Sequence, residues 1–213
     1  IGDIRNFELL EKEVKNFAPE IIIHMAAQPL VRASYANPRY NYETNVIGTL
    51  NVLEAALKAK SVKAVVNVTT DKCYENIEKD YAYLEDDKLG GFDPYSASKA
   101  CVEILTSSYR NSFFSRANIA LASVRAGNVI GGGDFSVDRI IPDIYRAIVA
   151  KKALEIRSPN AIRPWQHVLE PLYGYMLVAY NLYENGEKFA KAYNFGPDKE
   201  AQVNVENLIK KFI

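Results

Sequence analysis

The sequence predicts an α/β protein whose core is a doubly wound parallel sheet. Short runs rich in β-branched side chains, each bounded by turn residues, are typical of strands buried on both faces of such a sheet. They alternate with longer segments in which apolar residues recur every three or four positions, as in amphipathic helices. Parallel strands need helical crossovers, so this alternation favours a sheet with helices on both faces.

The elements are expected in a regular order along the chain. We predict three helices, at residues 6–17, 40–60 and 94–114. We predict three strands, at residues 20–25, 62–69 and 119–124. Asp93 is expected to cap the third helix, because a capping aspartate followed by proline is a common helix start. The segment with Pro29 and Pro38, and residues 71–93, are expected to be loops.

The composition argues against several classes of function. The 26 basic and 26 acidic side chains balance, so the basic excess of a nucleic-acid binder is missing and no nucleic-acid partner is expected. Two cysteines and two histidines without ligand spacing predict no metal site. No apolar run is long enough to cross a bilayer, and the N-terminal residues do not resemble a signal peptide. We therefore predict a cytoplasmic protein with no membrane partner.

Polar side chains follow the second predicted strand, where ligands of doubly wound sheets bind. Thr70, Asp71 and Lys72 bring a hydroxyl, a carboxylate and an ammonium to this end of the strand. An ordinary polar turn would have the same composition, so the tripeptide alone is a weak indication of a site.

Tyr95 and Lys99 are four residues apart at the start of the third helix, so their side chains share one helical face. A neighbouring ammonium favours the phenolate, which turns a tyrosine into a general base. Action near neutral pH requires a pKa lowered by roughly 3 units, or about 4 kcal/mol. This spacing arises about once by chance in such a chain, and it is the position after the Thr70 loop that makes the pair a candidate site.

Thr70, Tyr95 and Lys99 together resemble the threonine, tyrosine and lysine of the short-chain dehydrogenase/reductases. Other segments are similar to the extended members of that family that act on nucleotide sugars: residues 2–5, 24–27, 43–49, 125–134 and 163–168. Residues 28–32, 70–76 and 89–96 resemble the CDP-glucose branch of the dehydratases in particular. The related dTDP-glucose enzymes carry Asp-Glu where this chain has Asp71-Lys72.

The resemblance implies a Rossmann-type fold with NAD as cofactor. Residues 1–126 would be part of the NAD-binding domain and carry the catalytic residues, while 127–213 would be part of a smaller nucleotide-sugar-binding region interleaved with the last elements of the sheet. The glycine-rich phosphate turn of such domains is not found in the sequence. We therefore expect an N-terminally truncated portion that is inactive by itself. The residues expected to bind NAD are Asp3, Ile4, Ala26, Ala27, Gln28, Asn45, Tyr95 and Lys99.

The reaction implied by the resemblance is the conversion of CDP-glucose to CDP-4-keto-6-deoxyglucose. Tyr95 would take the proton of the sugar 4-hydroxyl as hydride leaves C4, with Lys99 lowering the pKa of Tyr95 and Thr70 binding the 4-oxygen. Water would then leave across C5 and C6, with Asp71 as the acid and Lys72 as the base. Alternatively, a protonated Lys72 would stabilise an enolate while another group acts as the base.

Asn128 and Arg163 are the candidates for binding the nucleotide-sugar substrate, because a guanidinium suits a pyrophosphate. A homodimer through the helices at 40–60 and 94–114 is the family expectation. Two alternatives remain: another nucleotide-sugar enzyme, such as a dTDP- or GDP-sugar dehydratase or a UDP-sugar 4-epimerase, and a non-catalytic member that binds a dinucleotide or a protein partner.

Overall fold

The computed structural model describes residues 2–79, 81–198 and 202–212. The chain divides into two compact units. The first consists of the residues up to Arg125 together with Tyr173–Asn194. The second consists of Ala126–Leu172 and the chain from Phe195 onward.

The strands are numbered along the chain. They are β1 (Ile21–His24), β2 (Ala64–Val68), β3 (Ala120–Ala126), β4 (Asn128–Ile130), β5 (Ile162–His167), β6 (Ala192–Phe195) and β7 (Gln202–Asn204). A four-stranded sheet has the order β1-β2-β3-β6, and its first three strands are parallel. Every residue of β3 is buried, which fits a strand covered on both faces. The predicted α/β class with a parallel sheet is confirmed.

The helices are numbered in the same way. They are α1 (Phe7–Phe17), α2 (Val31–Ala36), α3 (Pro38–Tyr42), α4 (Gly48–Lys58), α5 (Pro94–Tyr109), α6 (Ser115–Ala117), α7 (Ile140–Ala150), α8 (Leu169–Asn185) and α9 (Val205–Lys210). Two π-helical turns, Glu43–Ile47 and Arg110–Phe114, link α3 to α4 and α5 to α6. Two 3₁₀ turns lie at Asp71–Cys73 and Gly186–Phe189.

Side-chain caps determine where several helices begin. The side chain of Asn6 accepts a hydrogen bond from the backbone N–H of Leu9, and α1 starts at Phe7, directly after Asn6. Asp93 accepts one from the N–H of Ser96 at 3.0 Å, with Pro94 as the first residue of α5. Both caps satisfy backbone donors that the helix itself leaves without partners. The predicted cap at Asp93 is confirmed.

The structure corrects the sequence prediction in two places. The segment predicted as a loop around Pro29 and Pro38 contains α2 and α3. Pro38 starts α3, because Asn37 caps it by accepting from the N–H of Tyr40, and a proline in the first turn costs no hydrogen bond. The two helices predicted as uninterrupted each contain a π-helical turn.

The main apolar core of the first unit lies where α4, β2 and β3 meet the π-helical turn that follows α5. Its fully buried members include Leu53, Val65, Phe114 and Leu121. Burying side chains of this size contributes about 1.5–3 kcal/mol each. This packing fixes the strands and helices whose ends carry the candidate site residues.

The second unit contains a small three-stranded sheet of order β4-β5-β7. β4 and β5 are parallel, whereas β5 and β7 are antiparallel. Trp165 is buried and donates from Nε1 to the carbonyl of Val203 at 3.0 Å. His167 is exposed at the end of β5. Among the described residues of both units, no helix has the length and hydropathy needed to cross a membrane.

Candidate active site

Thr70 lies just beyond the end of β2 and is buried. Its hydroxyl caps the 3₁₀ turn by accepting from the N–H of Lys72 at 3.4 Å, and it donates to Oδ1 of Asp71 at 3.1 Å. Asp71 is half-buried, and Lys72 is exposed. The turn thus places the three polar side chains predicted from the sequence, Thr70, Asp71 and Lys72, at the carboxyl end of β2.

Tyr95 and Lys99 lie on the first two turns of α5, and both are buried. The Nζ of Lys99 donates to the backbone carbonyl of Val68, the last residue of β2, at 3.3 Å. This contact brings the start of α5 to the strand end that carries Thr70. Burial lowers the pKa of Lys99 to about 8, because an ammonium is costly to remove from water.

The loop before α5 approaches the helix very closely at Gly91. A Cβ at this position would lie 2.2 Å from the backbone N of Ala97, in the first turn of α5. Only glycine fits such a contact, so the position of the helix start depends on Gly91 having no side chain.

A network of amide side chains joins the end of β1 to the start of α5. Asn45, in the first π-helical turn, accepts from the N–H of Gln28 at 2.8 Å. Its Nδ2 lies 2.9 Å from Ser98 Oγ and 3.2 Å from Asn41 Oδ1. Asn41 in turn donates to the carbonyl of Pro94 at 2.9 Å. Each of these side chains is buried, and the network fixes Gln28 and the Tyr95 helix relative to one another.

His24, the last residue of β1, is buried against Thr49. Its Nε2 lies 3.1 Å from Thr49 Oγ1, and that hydroxyl donates its single proton to the carbonyl of Asn45 at 2.6 Å. The Nε2 of His24 must therefore carry the proton of the neutral ring. Burial, assisted by the charge of Lys99, lowers the pKa of His24 to about 4.

The other residues predicted to bind NAD lie along the end of β1 and near the N-terminal helix. Ala26 is exposed and Ala27 half-buried. The side chains at these two positions, just after β1, are single methyl groups. Ile4 accepts at its carbonyl from Asn51 Nδ2, 2.9 Å away. Both carboxylate oxygens of Asp3 accept from Arg5, and these hydrogen bonds lower the pKa of Asp3 to about 2.

Asn128 and Arg163 belong to the second unit. Asn128 is half-buried and pairs in register with Trp165 across β4 and β5. Arg163 is exposed on β5, and its guanidinium donates to the carbonyl of Ile162 at 2.8 Å. Within the described part of both units, no group of three or more His, Cys, Asp or Glu side chains is placed to hold a metal ion.

Residues 1–193 match the model of the family described as GDP-mannose 4,6 dehydratase. The chain belongs to the GDP-mannose 4,6-dehydratase family.

The curated relatives of this dehydratase-family chain include the CDP-glucose 4,6-dehydratase of Salmonella typhimurium. The two are 53% identical over 218 aligned residues, which cover 100% of this chain and 61% of the relative. A low-salt glycan biosynthesis protein of Haloferax volcanii is 37% identical over 78% of this chain and 51% of its own length. The chain thus spans between about half and three fifths of the length of these relatives.

Solved structures of nucleotide-sugar enzymes have the same fold as this dehydratase-family chain. A double mutant of the dTDP-glucose 4,6-dehydratase of Streptomyces venezuelae, solved with NAD bound, superposes with a TM-score of 0.84 and 26% identity, covering 99% of this chain and 61% of that one. MoeE5 in complex with UDP-glucose and NAD superposes with a TM-score of 0.83 at 26% identity, covering 98% of this chain and 64% of that one.

Sequence reasoning missed a buried charged cluster in this dehydratase-family site. Glu103 of α5 and Arg125 of β3 form an ion pair of 2.6 Å, and both are buried. Arg125 also donates to Tyr74 Oη at 2.5 Å. With Lys99, the cluster has two cations and one carboxylate on or beside the face of α5 that carries Tyr95. The signal available in the sequence was the continued four-residue spacing from Tyr95 through Lys99 to Glu103.

Tyr175 of α8 is a second residue that the sequence did not single out as functional. It is buried, and burial together with the carboxylate of Asp71 raises the pKa of Tyr175 to about 12. The phenol therefore stays protonated near neutral pH beside the candidate acid. Because residues 171 to 183 contain several tyrosines, nothing in the sequence distinguishes this one from its neighbours.

Proposed function

We propose that the protein carrying this chain is an NAD-dependent CDP-glucose 4,6-dehydratase, which forms CDP-4-keto-6-deoxyglucose. The observation that carries the proposal is the buried Lys99, held by the Val68 carbonyl on the same helical face as Tyr95 and beside Thr70. The 53% identity to a CDP-glucose 4,6-dehydratase supports the choice of substrate.

The residues around the ends of β1 and β2 fit a bound nicotinamide dinucleotide. Ala26 and Ala27 leave room for a flat ring against the end of β1. The Lys99 ammonium has three N–H donors, more than the one carbonyl of Val68 requires, so it can also bind a ribose hydroxyl. When bound, NAD would supply the redox chemistry at C4 and C6 of the sugar.

The oxidation needs a base for the proton of the sugar 4-hydroxyl. Tyr95 is that base, because the nearby Lys99 ammonium stabilises the phenolate that must exist before the proton is taken. The Thr70 hydroxyl is fixed by the N–H of Lys72, and on substrate binding it turns its proton from Asp71 to the sugar 4-oxygen. Since Thr70 is held by this backbone contact and Tyr95 is buried on α5, little reorganisation is needed during the reaction.

The elimination needs an acid for the departing 6-hydroxyl and a base for the C5 proton. Asp71 in its protonated form is the acid, and Lys72, exposed beside it on the 3₁₀ turn, is the base in its neutral form. The Asp71 carboxylate already accepts from Thr70 at 3.1 Å, so it lies next to the group that binds the 4-oxygen. Asn128 and Arg163 bind the nucleotide end of the substrate, the guanidinium through the pyrophosphate.

A second copy of the chain covers an exposed apolar surface on the first unit. Tyr42, Ile47, Ile104 and Phe113 are each between 37% and 60% exposed, on α3, α5 and the π-helical turns next to them. Apolar side chains grouped in this way are typical of a protein interface. Sedimentation equilibrium should give a homodimer that Ile104→Lys weakens, and a monomeric wild type would contradict it.

The protein acts in the cytoplasm. Cys73 and Cys101 are both free thiols, one buried and one exposed. Free thiols suit a reducing compartment.

The decisive experiment uses the complete gene product that contains this chain. It is incubated with NAD and, separately, with CDP-glucose, dTDP-glucose and UDP-glucose, and the products are identified by mass. Loss of one water from CDP-glucose alone is the expected result. A product of unchanged mass from UDP-glucose would point to an epimerase instead, and no reaction with any sugar would favour a non-catalytic protein.

Tyr95→Phe tests the role of the base. It should lower kcat by about 10²–10⁴-fold, the usual contribution of general acid–base catalysis. Tyr109→Phe is the matched control, because Tyr109 lies on the same helix but donates to Glu54, away from the site. Equal losses in the two variants would argue against Tyr95 as the base.

A further inference from the structure

Glu103 shares the helical face of the two candidate catalytic residues of α5. It follows Lys99 by four residues and Tyr95 by eight, so the three side chains lie one above the other along the helix. Only 3% of Glu103 is exposed. A carboxylate is rarely buried to this extent unless it is paired and hydrogen-bonded.

Both oxygens of the Glu103 carboxylate are used, and their partners lie on two strands. Oε1 accepts a short hydrogen bond from the hydroxyl of Thr69, the residue before Thr70. Oε2 accepts from Ser123 Oγ at 2.8 Å and from Arg125 Nη2 at 2.6 Å. The carboxylate therefore connects α5 to the end of β2 and to β3, at the level of the candidate site.

Glu103 also acts on the charge of Lys99, four residues before it on α5. From β1, His24 faces Lys99 as a neutral ring, since burial and Lys99 itself lower the pKa of His24 to about 4. From the 3₁₀ turn, the Cys73 thiol is neutral, since burial and Glu103 raise the pKa of Cys73 to about 12. Glu103 therefore favours the charged form of Lys99 against burial, and its ion-pair partner Arg125 balances the charge of the carboxylate.

We propose that Glu103, balanced by Arg125, is a positioning residue of this active site that fixes the charge of Lys99 and the position of Thr70. Neither residue touches the substrate. Glu103 acts on Thr70 through the Thr69 hydroxyl, and on Tyr95 through the Lys99 ammonium. The proposal rests on the dehydratase function proposed above.

The first test is the pH profile of kcat/KM for water loss from CDP-glucose by the complete gene product. The alkaline limb of this profile, where kcat/KM falls as the pH rises, reports the loss of the Lys99 proton in the free enzyme. Glu103→Gln keeps the shape of the side chain but leaves the Arg125 cation unopposed, so the alkaline limb should move down by about 1 pH unit. Glu103→Asp keeps the charge and should leave the limb near its wild-type position, even if kcat falls.

The double variant Glu103→Gln/Arg125→Gln provides a test that still works if Glu103→Gln alone does not fold. Replacing both members of a buried ion pair is less damaging than leaving one charge without its partner. In the double variant the alkaline limb should return most of the way to its wild-type position. A purely structural role predicts that all three variants lose thermal stability and kcat while the limb stays in place, and this result would overturn the proposal.

A second measurement separates this proposal from the proposed function. The pH dependence of the free energy of unfolding between pH 7 and 11 contains the titration of Lys99, whether or not the protein turns over CDP-glucose. In Glu103→Gln the rise in stability with pH should begin about 1 pH unit lower than in the wild type. An unchanged onset would refute the role of Glu103 even in an active enzyme, while a lowered onset would support it in an inactive one.

Discussion

Asn45 and Ser98 lie 2.9 Å apart, with the Nδ2 of Asn45 donating to the Ser98 hydroxyl. Ser98 in turn donates to the carbonyl of Tyr95 at 2.7 Å. The π-helical turn that carries Asn45 is thereby bound to the first turn of α5. The start of α5, which carries the candidate residues Tyr95 and Lys99, is positioned by a buried polar network as well as by apolar packing.

Asn45→Leu should lower the free energy of unfolding by about 2–4 kcal/mol, because it leaves the buried Gln28 N–H without its acceptor. Urea unfolding measures the loss. Asn51→Leu is the control, since Asn51 is half-buried and donates to Ile4 alone among the contacts described. It should cost about 0.5–1.5 kcal/mol. Equal losses in the two variants would mean that the network contributes no more to the free energy of unfolding than the single half-buried hydrogen bond of Asn51.

Lys99→Met should make the protein more stable near neutral pH while reducing its activity. The folded-state pKa of Lys99 is about 8, below its ordinary value of 10.5. Between these values the unfolded chain binds more protons, so wild-type stability rises with pH across this window. Below pH 8 the full cost of burying the charge, about 3 kcal/mol, is present. The stability advantage of the variant should therefore shrink as the pH rises from 8 to 10.5, and an advantage independent of pH would contradict this.

His24→Gln should remove part of the acid sensitivity of the fold. The folded-state pKa of His24 is about 4, lowered by burial and by Lys99 from 6.5. Between pH 6.5 and 4 the unfolded chain takes up a proton that the folded chain does not, so wild-type stability falls as the pH is lowered through this window. The expected loss is about 3 kcal/mol. Unfolding measured at pH 7 and pH 4.5 gives the slope.

The exposed His167 provides the control for His24. His167→Gln should keep the acid-side slope of the wild type. If both histidine variants flatten that slope to the same degree, burial of His24 is not its cause.

Gly91→Ala should destabilise the protein and displace the start of α5. The added Cβ would lie 2.2 Å from the backbone N of Ala97, which cannot move without moving the helix. The free energy of unfolding should fall by about 1–3 kcal/mol. Gly132→Ala is the control, because an added Cβ there meets nothing within 4 Å. Its effect should stay within about 0.5 kcal/mol.

The sequence was sufficient for the features that depend on local rules. The cap at Asp93, the buried strands β2 and β3 and the shared face of Tyr95 and Lys99 follow from residue type and spacing alone, whereas β1, also expected to be buried, is partly exposed. Pro38 was misleading because a proline both breaks helices and starts them, and the cap provided by Asn37 decides between the two.

Other features depend on contacts between distant segments. The π-helical turn at Glu43–Ile47 has no sequence signature, since it differs from an α-helix by one hydrogen-bond register. Glu103 looks like an ordinary helix residue until β3 brings Ser123 and Arg125 to it. Likewise, nothing near His24 or His167 in the chain shows that the first is buried and the second exposed.

The place of β6 in the sheet has a consequence for biosynthesis. β6 is hydrogen-bonded beside β3, but about 65 residues separate the end of β3 from the start of β6. A ribosome adding about 5–20 residues per second needs roughly 3–13 s to make that stretch. During this interval the far edge of β3 emerges without its neighbour, and a bare strand edge readily pairs with other chains. The nascent protein is therefore open to misassembly at this edge until β6 has emerged and paired with β3.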